Sequence, residues 1–226
     1  MRWVLLHSPL TGPAVWRAVA AEAVRKGLDV TVPDLPDLAL VTPPYYPALG
    51  FAVASQIMRG GPAALIVHSG AGGLAAQVTN SAGSAVSQVV FVDAILPYPG
   101  RTWFSTAGDA FAQSVRAKVE NGMVAPWDQW FPPGALAGLI GDHAQRKAFA
   151  RELRPTPVAF LDEPAPELDL PEHVGWSYLR LSKAYEDEAR EARRLGRPTL
   201  RRDLSHLAMM THPAEVVSSL RNLIRG

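Results

Sequence analysis

The chain has 226 residues, a formal net charge of +1 and a mean hydropathy of +0.03, with 48% of its residues hydrophobic. That length can bury one sizeable core, and the charge leaves no basic excess to neutralise phosphates, so a single domain over residues 1–226 without a nucleic-acid partner is expected. The absence of cysteine excludes disulfides, thiolate metal sites and a cysteine nucleophile.

The chain opens with a strand expected over Trp3–His7, entered without the basic, apolar and small-residue regions of a signal peptide. No run of about 18 apolar residues follows, so no membrane partner and a cytoplasmic address are expected. A helix from about Ala14 to Lys26, a strand Val30–Val32, a helix around Ala48–Met58 and a strand Ala64–Val67 come next. A helix from Gly72 to about Asn80 and a strand Val89–Val92 complete the first hundred residues. Strands alternating with helices imply crossover connections, hence a mostly parallel central sheet with helices on both faces. Leu65-Ile66-Val67 and Val89-Val90-Phe91-Val92 are apolar without alternation, the pattern of strands buried on both faces. From about residue 98 to 173 the rhythm breaks into an aromatic- and proline-rich insertion, with helical pieces near Thr106–Glu120 and His143–Leu153. An insertion after a mid-sheet strand is placed to form a small helical cap. The alternation then resumes with a strand Ser177–Leu181, a charged helix from about Tyr185 to Leu195, a strand Thr199–Asp203 and a helix from Pro213 to Ile224. Proline suits the first turn of that last helix, where its missing amide proton would have no partner anyway.

The chemistry is concentrated at Val67-His68-Ser69-Gly70-Ala71, where a buried strand ends at a serine followed by small residues and a helix-forming stretch. A serine on a tight strand-to-helix turn projects its hydroxyl above the sheet edge, beside the first free amides of the helix. The segment matches G-x-S-x-G with Ala71 for the last glycine and Val67 for the first. A hydroxyl is a weak nucleophile, so a reactive Ser69 needs a base within hydrogen-bond reach and a third group to orient that base.

The first-strand His7, Trp16 on the first helix, Val32-Pro33-Asp34-Leu35, the turn at Ser69 and a histidine before the last helix together make the chain resemble the α/β-hydrolase superfamily over nearly its whole length. The nearest flavour is the small esterase and hydroxynitrile-lyase-like branch. The resemblance implies an α/β-hydrolase fold, no cofactor and a small-molecule substrate. It also implies that His206, seven residues before Pro213, is the base, while His212 stands too close to the helix. The position that carries the acid in most relatives is Ala184, and Glu186 or Asp187 would need a shift of register. Some relatives place the acid at the end of the preceding strand, where this chain has Asp93, and Asp93 is therefore the expected acid.

Relatives stabilise the oxyanion with the amide after the nucleophile, here Gly70, and a second amide from the first-strand loop. In His7-Ser8-Pro9-Leu10 that second position is Pro9, which has no N–H to give. Either Leu10 supplies the amide, or the Ser8 hydroxyl substitutes, or the chemistry needs no complete oxyanion hole. Tyr46, Trp127 and Trp130 are the candidate walls of an apolar substrate pocket.

The six histidines show neither H-x-H nor H-E-x-x-H spacing, so no metal is expected. Gly70-Ala71-Gly72-Gly73 has the wrong spacing for a dinucleotide-binding loop. These residues favour a serine hydrolase of a small apolar ester, thioester or lactone. A non-hydrolytic enzyme with the same pocket (a lyase, epimerase or cyclase of natural-product biosynthesis) is the first alternative, and a binding protein that has lost catalysis the second.

Overall fold

The computed structural model describes residues 1–225. Strand β1 (Arg2–Leu6) leads through α1 (Ala14–Arg25) to β2 (Val30–Thr31), and α2 (Tyr45–Ile57) leads to β3 (Ala63–Ser69). Then α3 (Ala75–Ala82) leads to β4 (Val86–Ala94). After a long excursion the sheet resumes with β8 (Gly175–Arg180), α9 (Glu186–Arg194), β9 (Thr199–Arg201), α10 (Ala208–Thr211) and α11 (Pro213–Arg225). The excursion holds α4 (Trp103–Thr106), α5 (Asp109–Arg116), β5 (Val119–Glu120) and β6 (Met123–Val124). It continues through α6 (Ala135–Leu139), α7 (His143–Ala150), β7 (Thr156–Pro157) and α8 (Val158–Asp162).

Six strands form one sheet in the order β2-β1-β3-β4-β8-β9, and every pairing is parallel. Because side chains alternate across a strand, successive residues enter two different cores. Val4, Leu6, Leu65, Val67, Val89 and Phe91 pack toward α2, α3 and α9. Trp3, Leu5, Ala64, Ile66, Val90 and Val92 pack toward α1, α10 and α11. This double burial explains the unbroken apolar runs of β3 and β4. Among the described residues no helix is long and apolar enough to cross a membrane.

The structure departs from sequence expectation mainly between β4 and β8. The helix expected over Thr106–Glu120 is split by Gly108, at φ +78°, into α4 and α5. Its last residues instead form β5, which turns through Asn121-Gly122 into β6, and β6 pairs with β7 in a small antiparallel sheet. Both turn residues have positive φ, the requirement that makes Asn-Gly a hairpin signal, and here it outweighs helical propensity. Helix α2 begins before Ala48, at Tyr45, because the amides of Tyr45 and Tyr46 donate to the Glu163 carboxylate at 2.8 and 3.0 Å. An anion at a helix N-terminus satisfies otherwise unpaired amides, and this one arrives from more than a hundred residues away.

Candidate active site

Ser69 closes β3 with φ +56° and ψ −126°, a conformation non-glycine residues rarely adopt. A single turn of 3-10 helix, Gly70–Leu74, follows at once. The turn is tight because the residues behind Ser69 have no bulk. A Cβ on Gly72 would lie 1.8 Å from the Ile95 carbonyl oxygen, so only glycine allows this approach of the elbow to the end of β4.

At that end of β4 the register with β3 slips. His68 pairs with Val92 and Ser69 with Ala94, leaving Asp93 as the extra residue of a bulge, at φ +42°. A bulge re-aims the side chain it carries, and Asp93 turns toward the loop after β8. Its carboxylate is fully buried. Oδ1 accepts from the amides of Leu181 and Ser182 at 2.6 and 2.9 Å, and Oδ2 from the Ser182 hydroxyl at 2.6 Å. Oδ2 also faces His206 Nδ1 at 3.0 Å, while His206 Nε2 lies 3.1 Å from Ser69 Oγ. A carboxylate acceptor at Nδ1 fixes the tautomer, so that Nε2 carries the lone pair toward the serine.

His206 sits in the loop between β9 and α10 and has two rings against it. Tyr185 stacks on it with ring centroids 4.9 Å apart and planes 9° from parallel, and His68 lies tilted at 4.5 Å. His68 Nε2–H donates to the His206 carbonyl at 3.1 Å. Burial, then the neighbouring His206, hold the His68 pKa well below the ordinary histidine range, so His68 is a neutral donor.

Of the other carboxylates considered, Glu186 is bound to Arg201 at 2.9 Å and to Arg180 at 3.0 Å, and Asp187 to Arg190. The hydrogen bond from Arg201 holds the Glu186 carboxyl below the ordinary range. Neither is paired with His206, whose carboxylate partner is Asp93. Glu188, next to Asp187, lines the cavity described below, and Glu188 Oε2 has no hydrogen-bond partner among the described residues. Burial first, and the charges of Asp187 and Asp93 after it, raise the Glu188 pKa, with only its own backbone amide opposing. A carboxyl whose folded pKa is raised destabilises nothing below its unfolded value and costs stability as pH climbs through the folded one. Glu188→Gln should therefore raise Tm well above the ordinary glutamate pKa of 4.5 and change it little below that value. Thermal melts showing equal shifts in both ranges would rule out titration as the cause.

Ser69 and His206 open into a cavity of about 680 Å³. Gly70, Leu10, Trp103, Trp127, Trp130 and Phe131 are among its walls, most of them from the segment between β4 and β8. A slightly larger cavity of about 740 Å³ around Lys118, Asn121 and Arg154 holds no nucleophile beside a base. Two residues expected at the pocket have their side chains elsewhere. Tyr46 is buried in the core beneath α2, against Phe160, with its hydroxyl paired to that of Tyr98. Pro9 lines a separate cleft with His7, Asp34 and Glu152. Ser8 is fully buried beside Gly70, where a Cβ would lie 2.8 Å from Ser8 Oγ, and that oxygen accepts from the Leu10 amide at 3.2 Å while keeping its own O–H to donate. That contact diverts the Leu10 N–H, leaving the Gly70 amide, at the free start of the 3-10 turn, as the backbone donor beside the cavity.

The residue that sequence reasoning missed is Tyr185, whose hydroxyl is 3.4 Å from Ser69 Oγ. Its only signal was position, in the loop after β8 where relatives of this architecture carry their acid. Among the described residues no cluster of His, Asp and Glu has the make-up of a metal site.

The parallel sheet, the bulged acid-bearing strand and the serine elbow define the α/β-hydrolase fold. Solved structures of that fold superpose over almost the entire chain. An extracellular α/β-hydrolase from a Paenibacillus species, with structural and functional homology to tobacco salicylic acid binding protein 2, matches with a TM-score of 0.80 at 20% identity, covering 99% of this chain and 98% of that one. Tomato methylketone synthase I complexed with 2-tridecanone matches at 0.74 and 16%, covering 99% and 97%. A pyrethroid hydrolase from Sphingobium faniae matches at 0.73 and 17%, covering 98% and 96%. No protein-family model matches the sequence, and no curated protein matches it.

Proposed function

We propose that the protein is a cofactor-independent serine hydrolase of a small, mainly apolar ester, thioester or lactone. The observation that carries this reading is the continuous contact from Asp93 through His206 to Ser69 Oγ, opening into an aromatic-walled cavity. Ser69 attacks the substrate carbonyl as His206 Nε2 takes its proton, and Asp93 stabilises the imidazolium that results. The tetrahedral intermediate collapses, the leaving group collects the proton from His206, and water repeats the sequence on the acyl-enzyme. Residues from about 98 to 173 act as the cap of a single domain, and their rings select apolar substrates. The esterases and hydrolases among the structural neighbours support the reading.

A fluorophosphonate probe tests it. Ser69 should be labelled stoichiometrically, and Ser69→Ala and His206→Ala should each abolish labelling because the pair acts as one unit. Labelling that survives loss of His206 would break the pairing.

A second reading keeps the pocket and replaces hydrolysis with acid–base chemistry by Ser69 and His206, as in a lyase, epimerase or cyclase. What favours it is the missing second backbone donor to the oxyanion: Pro9 has no N–H, and the Leu10 amide is engaged by Ser8.

A further inference from the structure

Ser69 Oγ is bracketed by two groups, His206 Nε2 at 3.1 Å and the Tyr185 hydroxyl at 3.4 Å. The serine has one proton, and a histidine whose Nδ1–H faces Asp93 can only accept it at Nε2. The Tyr185 O–H must then be the donor to Ser69 Oγ. We propose that Tyr185 is a catalytic residue of the deacylation step, donating a hydrogen bond to Ser69 Oγ as that oxygen departs from the acyl group. This inference rests on the serine-hydrolase reading.

The chemistry follows from how the acceptor changes. In the acyl-enzyme, Oγ is the alkoxy oxygen of an ester, a poor acceptor. Water, deprotonated by His206, adds to the acyl carbon. The C–Oγ bond then breaks, its electron pair goes to Oγ, and Oγ takes the proton held on His206 while the carboxylic acid leaves. Negative charge grows on Oγ during that cleavage, so the Tyr185 hydrogen bond strengthens toward the transition state and lowers its energy relative to the acyl-enzyme. In acylation the same kind of C–Oγ transition state is reached from the free serine, whose oxygen already accepts this hydrogen bond, so Tyr185 gains far less there than in deacylation. Tyr185 keeps its proton throughout, since burial, with the charges of Asp93 and Glu188 beside it, holds the phenol above its ordinary range.

Tyr185→Phe is the test, because phenylalanine keeps the ring stacked on His206 and removes only the hydroxyl. With p-nitrophenyl butyrate, kcat should fall about tenfold, the worth of one net hydrogen bond at the upper end of its usual range, and KM should fall in parallel. The ratio kcat/KM, which reports acylation, should stay within about twofold or rise. Acid-quenched protein examined by mass spectrometry should carry butyryl-Ser69 in a larger fraction of molecules than wild type. A loss in kcat/KM as large as that in kcat, with no extra acyl-enzyme, would make Tyr185 a structural support and overturn the inference alone. An unchanged kcat would also overturn it. Wild-type protein that neither forms butyryl-Ser69 nor takes the fluorophosphonate would overturn the hydrolase reading and this inference with it.

Discussion

Asp93→Asn should lower ester turnover by roughly 10⁴-fold while the protein remains folded, the scale seen when an asparagine replaces the orienting acid of a serine–histidine pair. Every partner of the carboxylate is a donor: two amides on Oδ1, and the Ser182 hydroxyl and His206 Nδ1 on Oδ2. An asparagine can keep its oxygen toward the two amides, and its NH₂ can donate to Ser182 Oγ, so the buried site stays largely satisfied. The same NH₂ faces His206 Nδ1, which must then become the acceptor. The proton moves to Nε2, and His206 can no longer take the proton of Ser69. Steady-state kinetics alongside circular dichroism checks this, and Glu186→Gln serves as the contrast. Its carboxylate holds Arg201 and Arg180 rather than the histidine, so turnover should change by no more than a few-fold. If the Glu186 change were the crippling one, the acid would come from the loop after β8.

How much of this was visible in the amino acids depends on how local each cause is. The sheet was legible because β3 and β4 are continuously apolar, and only strands buried on both faces need that. The elbow was legible because Ser69 is followed by four small residues that permit a tight turn. Asp93 was legible by its place at the end of an apolar strand, although the bulge that aims it is a matter of register between two strands. The remainder depended on distant partners. Glu163 capping α2 and the pairing of β6 with β7 arise from contacts that no short window of residues contains, whereas the Asn121-Gly122 turn is a local signal outweighed in the reading by the helical pattern around it. Tyr46 was misplaced because an aromatic ring on a helix reads the same whether it faces a pocket or the core. Tyr185 was invisible because its meaning lies in a stacking plane against a histidine twenty-one residues later in the chain.

Pro9→Ala should raise turnover of a simple ester, by as much as about 10²-fold, given that one oxyanion donor is typically worth 10²–10³ in rate. Ser8, Pro9, Leu10 and Thr11 form a turn closed by the Thr11 amide on the Ser8 carbonyl at 3.0 Å. Proline fits its second position, where φ near −65° is required and the turn makes no use of an N–H. The third position gives its amide to Ser8 Oγ. The turn is therefore stable with both of its candidate backbone donors removed from service, one by chemistry and one by a local hydrogen bond. Alanine at position 9 can adopt the same φ and restores an N–H that no backbone group in the turn claims. A p-nitrophenyl ester is the right substrate for this measurement, since it brings a good leaving group and little remote binding energy to compensate for a weak hole. The unmodified protein should turn it over slowly, and the gain in Pro9→Ala should appear in kcat rather than KM, because the restored donor meets charge that exists only in the transition state. Fast turnover by the unmodified protein would show that the hole already has its second donor, and would remove the one observation that favours lyase, epimerase or cyclase chemistry over hydrolysis.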